Sequence, residues 1–248
     1  MSAALVVGAS GGIGSALTAE LLARDEHEVV VAACREPAAS DALRALGRVH
    51  PERLLPLALD LTDPASLADA AARVAQRVDT LTMLINCAGV LHAGALQPER
   101  RLSEVDAAAL VESFRVNAIG PLLVAQAFAP LLDREARTVL ANLSARVGSL
   151  GDNRLGGWYA YRASKAAQNM FTRNLAIELA RRHRGLICVA LHPGTVDTAL
   201  SRPFQARVPP ERLFTPARAA SQLLAVIDAL APHDNGGFFA WDGSPVPW

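Results

Sequence analysis

The 248-residue chain carries 24 basic and 24 acidic residues, a formal net charge of zero, and is 51% hydrophobic against 19% charged. That suits one large domain or two small ones with a sizeable core, excludes a disordered chain, and gives no global electrostatic case for nucleic acid or an anionic membrane. Apolar runs fall short of the roughly 18–20 residues that span a bilayer, and Cys34, Cys87 and Cys188 lack metal-ligand spacing, so the expectation is a cytoplasmic protein with reduced thiols, no metal and no membrane or nucleic-acid partner.

Residues 3–7 predict a first buried strand, followed by glycines and a helix over about 13–24. Strands are expected at 28–33 and 54–59. A helix over 64–76 has Pro64 in its first turn and Asp63 as N-cap. A fourth strand at 81–85 leads to a long helix over about 103–132, which Pro121 should bend. A strand at 138–143, a long helix at 160–182, a strand at 186–191 and a short strand at 238–241 complete the pattern. Strands apolar on both faces and alternating with helices predict one parallel sheet covered on both sides, in a single domain over 1–248. The segment 201–216 breaks the pattern after the sixth strand and reads as a surface excursion or a substrate lid.

The first strand runs into Val7-Gly8-Ala9-Ser10-Gly11-Gly12-Ile13-Gly14 and directly into a helix. Gly8 permits the tight turn, Gly12 lets the backbone approach a diphosphate, and Gly14 allows close helix–strand packing. The helix N-terminus then offers unpaired N–H groups to an anion. At the end of the second strand, where an acidic residue would take the ribose 2′-OH of NAD, the chain has Ala33-Cys34-Arg35. Arg35 is placed to meet a 2′-phosphate with a charge-assisted contact, which favours NADP (NADPH) over NAD; the ordinary alternative is a solvated surface arginine.

Lys165 is the only lysine beside 23 arginines, and Tyr159 and Tyr161 are the only tyrosines. Lysine is a compact ammonium whose pKa a protein can move, whereas arginine stays charged. Tyr161 and Lys165 are four apart at the start of a predicted helix, so they share one face. A nearby ammonium favours the phenolate and should bring a tyrosine toward acid–base work. The ordinary alternative is a structural tyrosine and a surface lysine.

At this point the chain resembles the short-chain dehydrogenase/reductase family over nearly its whole length. The glycine loop, Asp60, Asn86-Cys-Ala-Gly89, Asn117, Tyr161/Lys165 and Pro193-Gly194 arrive in family order. The stretches Gly156-Gly-Trp-Tyr-Ala-Tyr-Arg-Ala-Ser-Lys165, Leu191-His-Pro-Gly-Thr-Val-Asp-Thr198 and Gly236-Gly-Phe-Phe-Ala-Trp-Asp-Gly243 are similar to the branch of C-factor and sniffer-type carbonyl reductases. The resemblance implies an α/β Rossmann-type, doubly wound parallel sheet of about seven strands with helices on both faces. It also implies that Tyr161 is the acid/base, that Lys165 binds the nicotinamide ribose and tunes the proton, and that Asn117 holds a water linking Lys165 to solvent. Gly8, Ser10, Gly12, Ile13 and Gly14 would contact the bound dinucleotide. Asp60 and Leu61 would lie by the adenine, Asn86, Ala88 and Gly89 along the ribose, and Pro193, Gly194, Val196 and Thr198 beside the nicotinamide and pyrophosphate. A homodimer or homotetramer through the two long helices is implied as well.

Three departures qualify the likeness. Where the family commonly has Asn-x-Ser-Ser, this chain has Asn142-Leu143-Ser144-Ala145, so the serine that stabilises the reacting oxygen is replaced by Ala145; Ser144, should the strand end early, or Ser149 is the candidate substitute. Cys87 stands where a second Asn is frequent and reads as a small buried residue. Gly11 stands where many NADP-dependent members carry a basic residue. His192 reads as structural, and Phe204, Leu213, Trp158 and Trp241 as either pocket lining or ordinary packing. The expected function is NADP(H)-dependent interconversion of a carbonyl (ketone, aldehyde or quinone) and an alcohol. The alternative is a dinucleotide-binding signalling or interaction protein with weakened catalysis.

Overall fold

The computed structural model describes residues 2–94 and 96–248. Seven strands form one parallel sheet in the order β3-β2-β1-β4-β5-β6-β9: β1 Ser2–Val7, β2 Val29–Cys34, β3 Leu54–Ala58, β4 Thr80–Asn86, β5 Thr138–Leu143, β6 Leu186–His192 and β9 Phe238–Ala240. Alternation along each strand divides the core. Ala4 and Val6 face Leu17 and Leu21 of α1 (Gly12–Arg24) and Leu223 and Ile227 of α7 (Pro216–Ala229). Ala3, Leu5 and Val7 face Leu67 of α3 (Pro64–Ala75), Phe128 of α5 (Gly120–Phe128) and Ala176 of α6 (Tyr159–Leu179). The chain winds outward from β1 in one direction and from β4 in the other. The crevice beyond their carboxyl ends is therefore the switch point at which such sheets bind ligands.

Two helices had no expectation in the sequence. The nine-residue α2 (Asp41–Val49) buries only Leu43, and its N-terminus is capped by Ser40, whose Oγ accepts from Leu43 N. The fourteen-residue α7 begins with Pro216 behind Thr215, whose Oγ1 accepts from Arg218 N.

The expected helix over 103–132 is a composite. α4 (Ala107–Phe114) starts where the Asp106 carboxylate accepts from Ala109 N, and a π-turn over Arg115–Ile119 joins it to α5. Pro121 sits in the first turn of α5, and the π-turn immediately before it absorbs the missing donor. Contrary to the sequence expectation, the combined stretch Ala107–Leu131 is long and apolar enough to cross a bilayer. It nevertheless lies against the sheet, burying Asn117, Ala118, Val124, Ala125 and Phe128, as a core helix does.

The segment 201–216 contains short helical turns at Arg202–Arg207 and Pro210–Arg212. It also contains β8 (Leu213–Phe214), which pairs in parallel with β7 (Thr195–Val196).

Candidate active site

The glycine loop closes on the strand ends around it. Gly8 has φ +83°, and a Cβ there would lie 2.8 Å from Ala88 N. A Cβ on Gly12 would lie 2.7 Å from Thr198 Cγ2, and one on Gly14 would run into Gly8 O. The first turn of α1 has no side-chain cap at Gly11, so its leading N–H groups remain available at a positive dipole end. Such a cradle fits a dinucleotide diphosphate.

A groove of about 570 Å³ opens beside Ser10 and Arg35, with Glu36 and Asp41 also on its wall. Asp60 follows β3. Its Oδ1 accepts from Thr62 N at 2.8 Å and Thr62 Oγ1 at 2.7 Å, and these bonds hold its carboxyl below the usual range, helped by the Arg35 and Arg115 charges. Leu61 is buried, and its side chain occupies the space a Cβ on Gly120 would need.

Asn86 is directed inward. Its Nδ2 donates to Asn142 Oδ1 at 2.7 Å, and Asn142 Nδ2 donates onward to Thr172 Oγ1 at 2.9 Å. Its side chain thus links β4, β5 and α6, whereas Ala88 and Gly89 line the cavity described next.

That cavity, of about 350 Å³, lies at the carboxyl end of the sheet. It collects Ile13, Ala88, Gly89, Ser144, Tyr161 and Lys165 from one side, and Pro193, Gly194, Val196 and Thr198 from the other. Its outer wall is apolar, formed by Leu91, Val147, Leu200 and Val208 together with Trp158 and Phe204, whose rings meet edge-on at 5.1 Å. Leu213 and Trp241 do not line it; Trp241 packs on Phe214 at 4.8 Å instead.

Lys165 is 3% exposed, and its Nζ donates to Leu143 O at 2.8 Å and Gln168 Oε1 at 3.0 Å. Nζ stands 5.9 Å from the Tyr161 ring centre. The expected lowering of the Tyr161 pKa is not what this environment produces. Burial pushes the phenol up to about 12 and the lysine down to about 7. The neighbouring Cys87 is likewise pushed up to about 12 by burial, the Lys165 charge opposing that rise.

Asn117, within the π-turn, is fully buried. Its Nδ2 donates to Val90 O and its Oδ1 accepts from Val90 N, both at 2.8 Å, while Nδ2 also reaches Ser164 Oγ at 3.1 Å. It therefore fastens the chain beyond β4 to the Tyr161-bearing helix.

Of the two serines considered as substitutes at Ala145, Ser144 lines the cavity but its Oγ donates to Asn169 Oδ1 at 2.6 Å. Ser149 lies outside the cavity, and its Oγ accepts from Asp152 N. Sequence reasoning missed Gln168, Asn169 and Ser164. All three lie on buried faces of α6 within one turn of Lys165, and helical spacing from that residue was the one signal that could have found them.

A doubly wound sheet with a glycine cradle at its switch point and a buried Tyr–Lys pair beside it defines a dinucleotide-dependent oxidoreductase fold. The model of the short chain dehydrogenase family matches residues 2–208, and this chain belongs to that family. It is 34% identical over the full length of both chains to a 1-hydroxy-2-glutathionyl-2-methyl-3-butene dehydrogenase of a Rhodococcus species. Among solved structures it is similar to an NADPH-bound carbonyl reductase from chicken fatty liver, with TM-score 0.87 and 34% identity, covering 100% of this chain and 94% of that one. It is also similar to the carbonyl reductase Sniffer of D. melanogaster, with TM-score 0.87, 27% identity and full coverage of both chains.

Proposed function

We propose that this chain is an NADP(H)-dependent oxidoreductase interconverting a ketone, aldehyde or quinone with the matching alcohol. The observation that carries this reading is the convergence of Tyr161, Lys165 and the loop beyond β6 on one apolar-walled cavity continuous with the glycine cradle. The NADPH bound to the chicken relative supports the choice of dinucleotide, as does Arg35 in the position where NAD-binding chains present a carboxylate.

The backbone of Gly8, Gly12, Ile13 and Gly14 would hold the diphosphate, with Ser10 and Arg35 at the 2′-phosphate. Asp60 and Leu61 would bound the adenine, Ala88 and Gly89 the ribose, and Pro193, Gly194, Val196 and Thr198 the nicotinamide side. When bound, NADPH supplies a hydride to the carbonyl carbon. Tyr161 gives its phenolic proton to the carbonyl oxygen, and takes a proton from the alcohol in the reverse direction. Lys165 stabilises the phenolate left behind, and with a pKa of about 7 it can return a proton near neutrality. Asn117 would hold the water through which that proton is replaced. The apolar wall limits water around the reacting oxygen and strengthens each of these interactions.

The test is titration with NADPH and NADH by nicotinamide fluorescence, followed by turnover on a carbonyl and quinone panel. Tyr161→Phe should bind NADPH and turn nothing over. Failure of the unaltered protein to bind either dinucleotide would remove this reading.

Ala145 favours a second reading, a dinucleotide-binding signalling or interaction protein with residual catalysis. A biological effect unchanged in Tyr161→Phe would select it. A cytoplasmic setting is supported by the three free cysteines. Homodimer or homotetramer assembly is supported by exposed Val111, Ile119, Met170 and Ile177 on the helices expected to meet, and light scattering of the purified protein tests it.

A further inference from the structure

Ala145 leaves the reacting oxygen with one hydrogen-bond donor fewer than a serine there would provide, and most hydroxyls and amines around the cavity are committed elsewhere. Ser144 donates to Asn169, Ser201 Oγ donates to Val196 O at 2.5 Å, and Lys165 is held by Leu143 O and Gln168. A hydroxyl has a single proton, so neither serine can serve a substrate oxygen without breaking its present bond.

His192 differs. It is the last residue of β6 and lines the same cavity as Tyr161 and Ala145. Leu143 pairs with Leu191, and Ser144 N donates to Leu191 O at 2.8 Å, so His192 stands at the strand end beside the residue that precedes Ala145. Its Nδ1 is buried with no hydrogen-bond partner among the described residues. Nδ1 is sealed off, so the ring nitrogen that can reach a ligand in the cavity is Nε2, and it carries the single proton of the neutral ring when Nδ1 is the unprotonated nitrogen.

We propose that the His192 imidazole donates the hydrogen bond to the substrate oxygen that a serine at position 145 would otherwise give, acting beside the Tyr161 hydroxyl. This rests on the oxidoreductase reading above. Burial and the Arg146 charge push His192 down to about 4, against the opposing pull of Asp242. The ring is therefore neutral near neutrality and carries one N–H. A neutral imidazole polarises a carbonyl without competing with Tyr161 for the role of proton donor.

The experiment measures NADPH affinity and turnover on the best carbonyl of the panel for the unaltered protein, Tyr161→Phe, His192→Ala, His192→Asn, Ala145→Ser and the double variants Ala145→Ser/His192→Ala and Ala145→Ser/His192→Asn. Removing one such donor should lower kcat by about 10²-fold, with NADPH binding kept. His192→Asn, which retains an N–H donor, should recover part of the loss. Ala145→Ser should raise kcat at least tenfold more in the His192→Ala background than in the unaltered protein. If His192→Ala loses NADPH binding, His192→Asn stands in for it: a larger gain from Ala145→Ser in that background than in the unaltered protein supports the inference, and an equal gain overturns it. Unaltered kcat in His192→Ala with Tyr161→Phe inactive would overturn this inference while leaving the oxidoreductase reading intact, as would an equal gain from Ala145→Ser in both backgrounds. No turnover by the unaltered protein would overturn both.

Discussion

The carboxylate of Glu99 accepts a hydrogen bond from Ala160 N at 3.2 Å, across 61 residues of sequence. The residue at the start of that helix, Trp158, has φ +49° and provides no side-chain cap, a conformation a bulky residue adopts only when its surroundings hold it there. Glu99 does so twice, because its main-chain oxygen also accepts from Trp158 N at 2.5 Å. The first turn of α6, and Tyr161 with it, is held from outside the helix.

Replacing Glu99 by Ala removes a buried hydrogen-bond acceptor from a helix N-terminus and should lower stability by about 1–2 kcal/mol. Urea denaturation reads this directly. Because Tyr161 lies in the loosened turn, kcat should fall further than KM rises. Glu99→Gln, which keeps the acceptor oxygen, should retain most of both; a Glu99→Ala midpoint equal to that of the unaltered protein would argue that the contact holds nothing.

Arg35→Ala should weaken NADPH binding by roughly 10- to 100-fold, the worth of a charge-assisted contact of about 1.5–3 kcal/mol. NADH affinity should stay the same, since NADH has no 2′-phosphate. Parallel loss for the two dinucleotides in the fluorescence titration would place Arg35 away from that phosphate.

Gly14→Ala puts a methyl group against Gly8 O, with Gly8 C only 2.8 Å away. Both neighbours are backbone atoms of the loop, so the loop itself must move. We expect a stability loss of about 1–3 kcal/mol, together with loss of NADPH binding by titration. Gly47→Ala, whose new methyl would meet only Leu54 Cδ2 at 3.8 Å, is the control that should leave binding intact.

Lys165 titrates near pH 7 in the folded chain against an ordinary value of 10.5. Between those values the unfolded chain binds more protons at this site, so the Lys165 contribution to stability rises with pH across that window and is flat below it. Cys87, raised from 9 to about 12, and Tyr161, raised from 10 to about 12, act in the opposite direction above pH 9 and 10. The clean interval is therefore pH 7 to 8.5, where the protein without added dinucleotide should gain about 1–2 kcal/mol. Chemical denaturation at the two pH values measures it. Lys165→Met should abolish the slope, and a slope that survives the substitution would assign it to another group.

The sheet was legible because its strands are apolar on both faces, and β1 to β6 fall within about two residues of expectation. The glycine loop and the Tyr161/Lys165 pair were legible because fixed spacings carry their geometry. α2 escaped because Asp41, Arg44 and Arg48 surround a single buried Leu43, leaving no periodic apolar stripe. The π-turn at Asn117 escaped because its sequence continues an ordinary helical pattern on both sides. The pairings Glu99–Ala160, Asn86–Asn142 and Ser144–Asn169 join separate elements and leave no local signal. The direction of the Tyr161 shift was missed for the same reason, since depth of burial is decided by the packing around the pair rather than by its spacing.

The solitary lysine has one more consequence. Lys165 is the chain's only side-chain amine and almost sealed from solvent, so an amine-directed reagent can modify a side chain only during moments when the cavity wall parts. The rate of that labelling, followed by peptide mass mapping, is a clock for the opening of the site. A substrate or dinucleotide that closes the wall should slow the clock before any product forms.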